Sequence, residues 1–297
     1  MRARDFLLSA SIVAGLAITP RASAQHLELP SGVIALDSVE GQKLLESSKA
    51  KVDFYPLSEH FVTQQTQGFC GVASAVMVLN ALQVKAPEVE AWSPYRVFTQ
   101  ENLFNDAANK VHPASAVNQG GMTIDQLGDL LQCHPAQAKV VHAGNSSLES
   151  FRSEASKNLA TAGDFVIVNW GRAGVGMDTM GHISPLGAYD EASDKFLLMD
   201  VARYKYAPHW VDAAALFRAM STNDLSSGGT RGWVSVTRAA SAPGPTGAKA
   251  RNMFRLLLTV VGAVFLLGIA IGSLMGWLVT RARWKKRLAV RDQPSKV

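Results

Sequence analysis

Two spacings of apolar residues divide the chain. Residues 71–82 (Gly-Val-Ala-Ser-Ala-Val-Met-Val-Leu-Asn-Ala-Leu) are almost wholly apolar and alanine-rich. That pattern predicts a buried helix that starts near Cys70 and ends before Pro87. Thr123-Ile-Asp-Gln126 is a capping box, in which hydroxyl and amide each satisfy a free backbone N–H of the first turn; it precedes Leu127, Leu130 and Leu131 and predicts another helix. Ser146-Ser-Leu-Glu149 repeats the signal, and Ser93-Pro94 predicts a helix start with proline at its first position. Then the period changes. Residues 165–169 form an apolar run, and 182–189 and 195–200 flank a polar turn at 190–194, which predicts a β-hairpin. Residues 212–220 predict a helix and 231–237 a last strand. Residues 25–60 read as an arm and 105–121 as a polar loop. Helices lead and an antiparallel sheet follows, an α+β arrangement.

The ends follow other rules. Residues 1–24 carry Arg2 and Arg4, an apolar run over 6–18 and the close Ala22-Ser23-Ala24, which predicts a secretory signal peptide cut after Ala24. Residues 256–280 hold no charge and are followed by Arg281, Arg283, Lys285, Lys286 and Arg287. The expectation is a single transmembrane helix over 253–280, a basic cytoplasmic tail over 281–297, and the folded domain on the outer side of a membrane. A Pro/Gly-rich linker over 239–252 joins the helix to a catalytic domain at 25–238. Gly268, Gly272 and Gly276 recur every fourth residue, a spacing that allows a homodimer within the membrane.

Charge sharpens this division. The chain's net charge is +5, but residues 1–24 hold +2 and 251–297 hold +8, leaving −5 on the remainder. The basicity belongs to the ends, and no basic stripe suggests a nucleic-acid partner. The two cysteines, Cys70 and Cys133, do not make a disulfide framework.

Cys70 is the candidate nucleophile. A thiol at a helix start meets unpaired N–H groups and the positive end of the helix dipole, and both favour thiolate. Gln64, six residues upstream, is a candidate oxyanion donor together with the Cys70 N–H. His182 opens the predicted hairpin after Gly181 and Asp200 ends its return strand, so the carboxylate can orient the imidazole as a base. Each residue alone also suits a structural role; the combination is what points to Cys–His–Asp acyl transfer. Cys133, His134 and His142 offer soft donors, but two adjacent residues do not readily share one ion, so no metal site is assigned.

The combination resembles a known family. Gln64-x5-Cys70-Gly71 is similar to the oxyanion-and-nucleophile pattern of papain-like cysteine peptidases. More narrowly, residues 67–74 (Gln-Gly-Phe-Cys-Gly-Val-Ala-Ser), 79–82, 181–189 and 199–206 (Met-Asp-Val-Ala-Arg-Tyr-Lys-Tyr) resemble the phytochelatin synthase family, over roughly 45–237. The resemblance implies a papain-like fold with Cys70 as nucleophile, His182 as base and Asp200 as its orienter. It implies attack on glutathione, loss of glycine, and transfer of γ-glutamylcysteine to a second glutathione, with Cd²⁺ or Zn²⁺ present as a glutathione thiolate complex. It also implies Asn169, Gly181 and Arg231 in the acyl-donor pocket. Arg172 and Arg231 are candidate partners for substrate carboxylates. Tyr204, Lys205 and Tyr206 read either as an acceptor site or as a solvated strand end. Met180 stands where another glycine is expected, and no cysteine-rich stretch follows the domain. Glutathione hydrolysis, a general papain-like peptidase and a membrane-tethered binding module remain the alternatives.

Overall fold

The computed structural model describes residues 26–240, together with 271, 273–281 and 283. In chain order the first unit has β1 (Ile34–Ala35), α1 (Val39–Ser47), α2 (Phe54–Glu59), α3 (Cys70–Ala81), α4 (Asp106–Val111), α5 (Ala114–Gly120) and α6 (Ile124–Gln132). Then follow β2 (Ala136–His142), α7 (Leu148–Leu159), β3 (Asp164–Gly171), β4 (Gly181–Asp190), β5 (Lys195–Leu198), β6 (His209–Asp212), α8 (Ala213–Met220), β7 (Asn223–Asp224), β8 (Gly229–Thr230) and β9 (Gly232–Arg238). The main sheet has seven strands in the order β1-β6-β5-β4-β3-β9-β2, all neighbours antiparallel, and β7 and β8 form a small separate hairpin.

Helices cover both faces of the sheet. On β3, Phe165 and Ile167 face a core built with α3 and α6, while Val166, Val168 and Trp170 face a second core built with α7 and α8. This explains why residues 165–169 read as an unbroken apolar run: neither face of the strand meets water. The α+β expectation fits this mixture, although strands are drawn from both halves of the chain.

Local expectations held where a cap or a continuous apolar stripe carried them. The Thr123–Gln126 capping box forms in full. The 146–149 signal is displaced by one residue: Ser147 is the cap of α7 and accepts from the Ser150 N–H. No helix starts at Ser93-Pro94. A bridge between Glu88 and Arg96, with an ion pair between their side chains at 3.1 Å, closes this segment as a loop. Trp92 and Tyr95 are exposed there, so a helix would have had no face to bury. The polar loop over 105–121 holds α4, capped by the Asn105 side chain, and α5.

The membrane expectation is corrected. Among the described residues no helix is long and apolar enough to cross a membrane. The transmembrane helix and the single-pass membrane localisation built on it are therefore overturned. Residues 253–270, the signal peptide at 1–24 and the linker beyond 240 lie outside the described residues.

One buried group makes the fold sensitive to pH. Asp53, before α2, is fully buried, and neither carboxylate oxygen has a partner. Burial first, and then the charge of Asp164, pushes its pKa up to about 9. The folded protein holds the proton at neutral pH, whereas an unfolded chain loses it near about pH 4. Folding takes up a proton between those values, so this group's contribution weakens stability as pH rises through that window. Asp53→Asn removes the proton uptake. Thermal melts should show the variant melting above the parent at about pH 8, and losing less stability than the parent between about pH 5 and about pH 8.

Candidate active site

Cys70 is the first residue of α3 and is almost fully buried. By position its N–H has no partner inside the helix. One turn on, the Ser74 hydroxyl lies 2.8 Å from the Cys70 carbonyl oxygen and 3.2 Å from that of Ile183, tying α3 to β4. Ile183 is next to His182, which sits opposite Trp170 of β3. The Trp170 ring stands edge-on to the imidazole, centroids 6.1 Å apart. The β4–β5 pairing reaches the third residue of the constellation: Met199 N–H donates to Pro185 C=O at 2.9 Å, and Asp200 follows. The hairpin read from the sequence thus brings Asp200 beside His182.

His182 Nε2 lies 2.8 Å from Asp200 Oδ1. The oxygen is off the line of the ring N–H, so the contact is a charge pair more than an aligned hydrogen bond. The other ring nitrogen is left for the Cys70 thiol, whose pKa the imidazole lowers. Asp200 is fully buried and accepts from the Ala202 N–H at 2.8 Å and from Arg172 Nη2 at 3.0 Å through Oδ1, with Arg172 Nη2 2.7 Å from Oδ2. Arg172 is itself buried between the rings of Trp170 and Tyr206, at 5.3 and 4.7 Å. Its guanidinium is spent on Asp200, which corrects the expectation of Arg172 as a partner for substrate carboxylates.

These contacts order the charges. Burial alone would raise the Asp200 pKa, but the charge of His182 and then that of Arg172 hold it well below the usual carboxylate range. Burial would lower the His182 pKa, yet Asp200 outweighs it and the imidazolium is favoured. Burial would raise the Cys70 pKa, but the neighbouring His182 brings the thiol below its ordinary value. The arrangement supports a thiolate–imidazolium pair. Cys133 is the opposite case: its thiol is pushed up by burial and by Asp129.

Cys70 opens into a cavity of about 380 Å³, which Asn169, Gly181 and Arg231 also line. All three expected donor-pocket residues therefore meet at the thiol. A Cβ at Gly181 would come 2.8 Å from Arg231 Nη2, so a side chain there would displace the guanidinium from the cavity wall. Arg231 Nη1 donates to the Asn223 carbonyl at 2.7 Å, while Nε is buried with no acceptor. Asp224, in the β7–β8 hairpin, lines the same cavity and accepts from Asn169 Nδ2 at 3.3 Å. Sequence reasoning missed Asp224; its only signal is a turn-like Asp-Leu-Ser-Ser-Gly-Gly stretch. A larger cavity, about 760 Å³, lies against α7 and the end of β4, but it contains no cysteine or histidine.

Gln64 is not in the Cys70 cavity. It lines a neighbouring one of about 330 Å³ with Tyr204, Lys205 and His182. Its Nε2 donates to the Thr66 and Gln67 carbonyls at 2.8 and 3.2 Å and lies 3.3 Å from the Tyr204 hydroxyl. Tyr206 instead packs on Arg172. Among the described residues no group of three or more His, Cys, Asp or Glu is gathered as a metal site. His142 bonds Thr230 and Asp125, and His134 packs edge-on to Phe98.

A family model described as Phytochelatin synthase matches residues 24–233. The chain belongs to the phytochelatin synthase family. Similar proteins include glutathione gamma-glutamylcysteinyltransferase 1 of Lotus japonicus, 35% identical over 64% of this chain and 37% of its own length. The protein of that name from Triticum aestivum is 32% identical over 75% of this chain and 44% of its length. Glutathione gamma-glutamylcysteinyltransferase of Schizosaccharomyces pombe is 28% identical over 70% and 49%. The chain thus spans less than half the length of these curated relatives. The phytochelatin synthase match covers α3, β4 and Asp200, the segments that bring the thiol, imidazole and carboxylate together.

The two thiols should differ in reactivity. With iodoacetamide near neutral pH, mass analysis should find Cys70 alkylated ahead of Cys133, and His182→Ala should remove the preference. Equal alkylation in the parent would contradict an activated Cys70.

Proposed function

We propose that the chain transfers the γ-glutamylcysteinyl group of glutathione through a thioester on Cys70. The observation that carries this reading is a thiol at a helix start whose own cavity presents Arg231 and Asp224. The γ-glutamyl end of glutathione carries a free α-carboxylate and a free α-amino group. Arg231, with its unspent buried donor, suits the first, and Asp224 suits the second. The printed names of the relatives support the same substrate.

In this reading the Cys70 thiolate attacks the cysteinyl carbonyl of glutathione. A C–S bond forms, and the C–N bond to glycine breaks as His182 gives its proton to the leaving amine. Asp200 and Arg172 keep His182 oriented and its charge balanced. The Cys70 N–H, at the start of α3, is one oxyanion donor. Gln64 becomes the second when its amide turns from the Thr66 and Gln67 carbonyls. The α-amino group of a second glutathione, bound beside Tyr204 and Lys205, then attacks the thioester. The C–N bond forms, the C–S bond breaks, and the amine's proton returns to His182. Cd²⁺ or Zn²⁺ enters as a thiolate complex of the substrate peptide.

The test is incubation of the full chain with glutathione, with and without Cd²⁺, followed by mass analysis. Glycine together with peptides lengthened by γ-glutamylcysteine is the expected result, and Cys70→Ala should release no glycine. γ-Glutamylcysteine as the sole peptide product would make the protein a hydrolase of the same substrate. Arg231→Gln should raise KM for glutathione by about tenfold or more, with a smaller effect on kcat, because it removes a binding contact made before the chemistry.

A further inference from the structure

We infer that the N-terminal arm walls the acceptor cavity, and that Leu27 helps decide whether a second peptide or water resolves the Cys70 thioester. The inference rests on the reaction proposed above and adds a residue that sets its outcome.

The start of the arm is hydrogen-bonded to the loop that carries Lys205. His26 Nε2 lies 2.9 Å from the Arg203 carbonyl oxygen, and the Leu27 N–H donates to the Lys205 carbonyl at 2.9 Å. Further along, Pro30 meets Gly176, where a Cβ would stand 3.3 Å from the Pro30 ring; Gly176 has φ +82°, a conformation that already favours glycine. The arm therefore links the loop that carries Lys205 to the turn that starts at Arg172. An ion pair between Lys205 and Asp178 joins the same two segments.

Leu27 is the arm's contribution to the cavity lined by Gln64, Gln67, Tyr204 and Lys205. It is half-exposed and, with Met180 and Ala202, makes up the apolar part of the lining; it is the one of the three that the arm supplies. Gln67, Met180, Gly181 and His182 line both this cavity and the Cys70 cavity. These four form the partition between donor and acceptor spaces, with the base in it. A nucleophile entering from the arm side meets His182 directly.

Two nucleophiles compete there. An α-amino group attacks the thioester carbonyl, forms C–N, breaks C–S and gives one proton to His182. Water follows the same path and leaves a free carboxylic acid. The acceptor peptide has hydrogen-bonding groups for Tyr204 and the Gln67 amide. An apolar wall favours it by covering its aliphatic stretches and displacing loosely held water from the rim. Removing that wall lets water reach the thioester more often.

The experiment uses the full chain carrying Leu27→Gly, compared with the parent and with Leu27→Met. Hydrolysed and transferred γ-glutamylcysteine are both counted per glycine released. Partial misfolding lowers both products together and leaves their ratio unmoved. In Leu27→Gly the ratio of hydrolysis to transfer should rise by about threefold or more, the scale on which loss of apolar contact in one pocket acts. Leu27→Met, which keeps an apolar cover, should stay near the parent. An unchanged ratio in Leu27→Gly, or an equal shift in Leu27→Met, overturns the inference while leaving the proposed reaction standing. A parent that releases no glycine overturns the reaction itself and this inference with it.

Discussion

A carboxylate with no access to water, held ionised between two cations, is the constraint on which the site depends. Asp200 would not keep its charge in this interior alone; the cost of burying an unpaired carboxylate would force a proton onto it. Arg172 on one side and His182 on the other supply the compensation. The consequence runs outward. Because Asp200 stays negative, His182 favours its charged form, and because His182 is charged, Cys70 favours thiolate. The order is Arg⁺, Asp⁻, His⁺, Cys⁻. Neighbouring signs alternate, so a nucleophile is generated in a buried place without isolating a net charge there.

The scaffold serves this row through two short-range devices. A helix start fixes the thiol where N–H groups are free, and a hairpin fixes the imidazole and carboxylate on adjoining strands. Both were legible in the sequence because each depends on neighbours in the chain. Cys70 precedes an unbroken apolar stripe, and His182 and Asp200 flank one polar turn. The capping box at Thr123 was legible for the same reason.

What was not legible depends on distant parts meeting. Arg172 looks like a surface cation after a strand; only the return of the 171–181 segment against Tyr206 and Asp200 buries it. Asp224 looks like an ordinary turn residue until the β7–β8 hairpin swings it beside Asn169. Strand β2 pairs with β9, and little within its own seven residues announces that partner. Gln64 shows the limit of a spacing argument, since six residues of separation do not say which way an amide points. At the C-terminus, an uncharged run suggested a membrane helix from composition alone. Among the described residues no helix is long and apolar enough to cross a membrane.

The Ser74 hydroxyl has a mechanical consequence. It has one hydrogen and two carbonyl oxygens within reach, one on the nucleophile's own residue and one beside the base. The hydrogen can swing between them, and the contact with the Ile183 carbonyl is the one that crosses from α3 to β4. The contact joins the two elements beside the thiol and the base. A twelve-residue helix thus transmits its position to the chemistry through a single side-chain atom in its second turn.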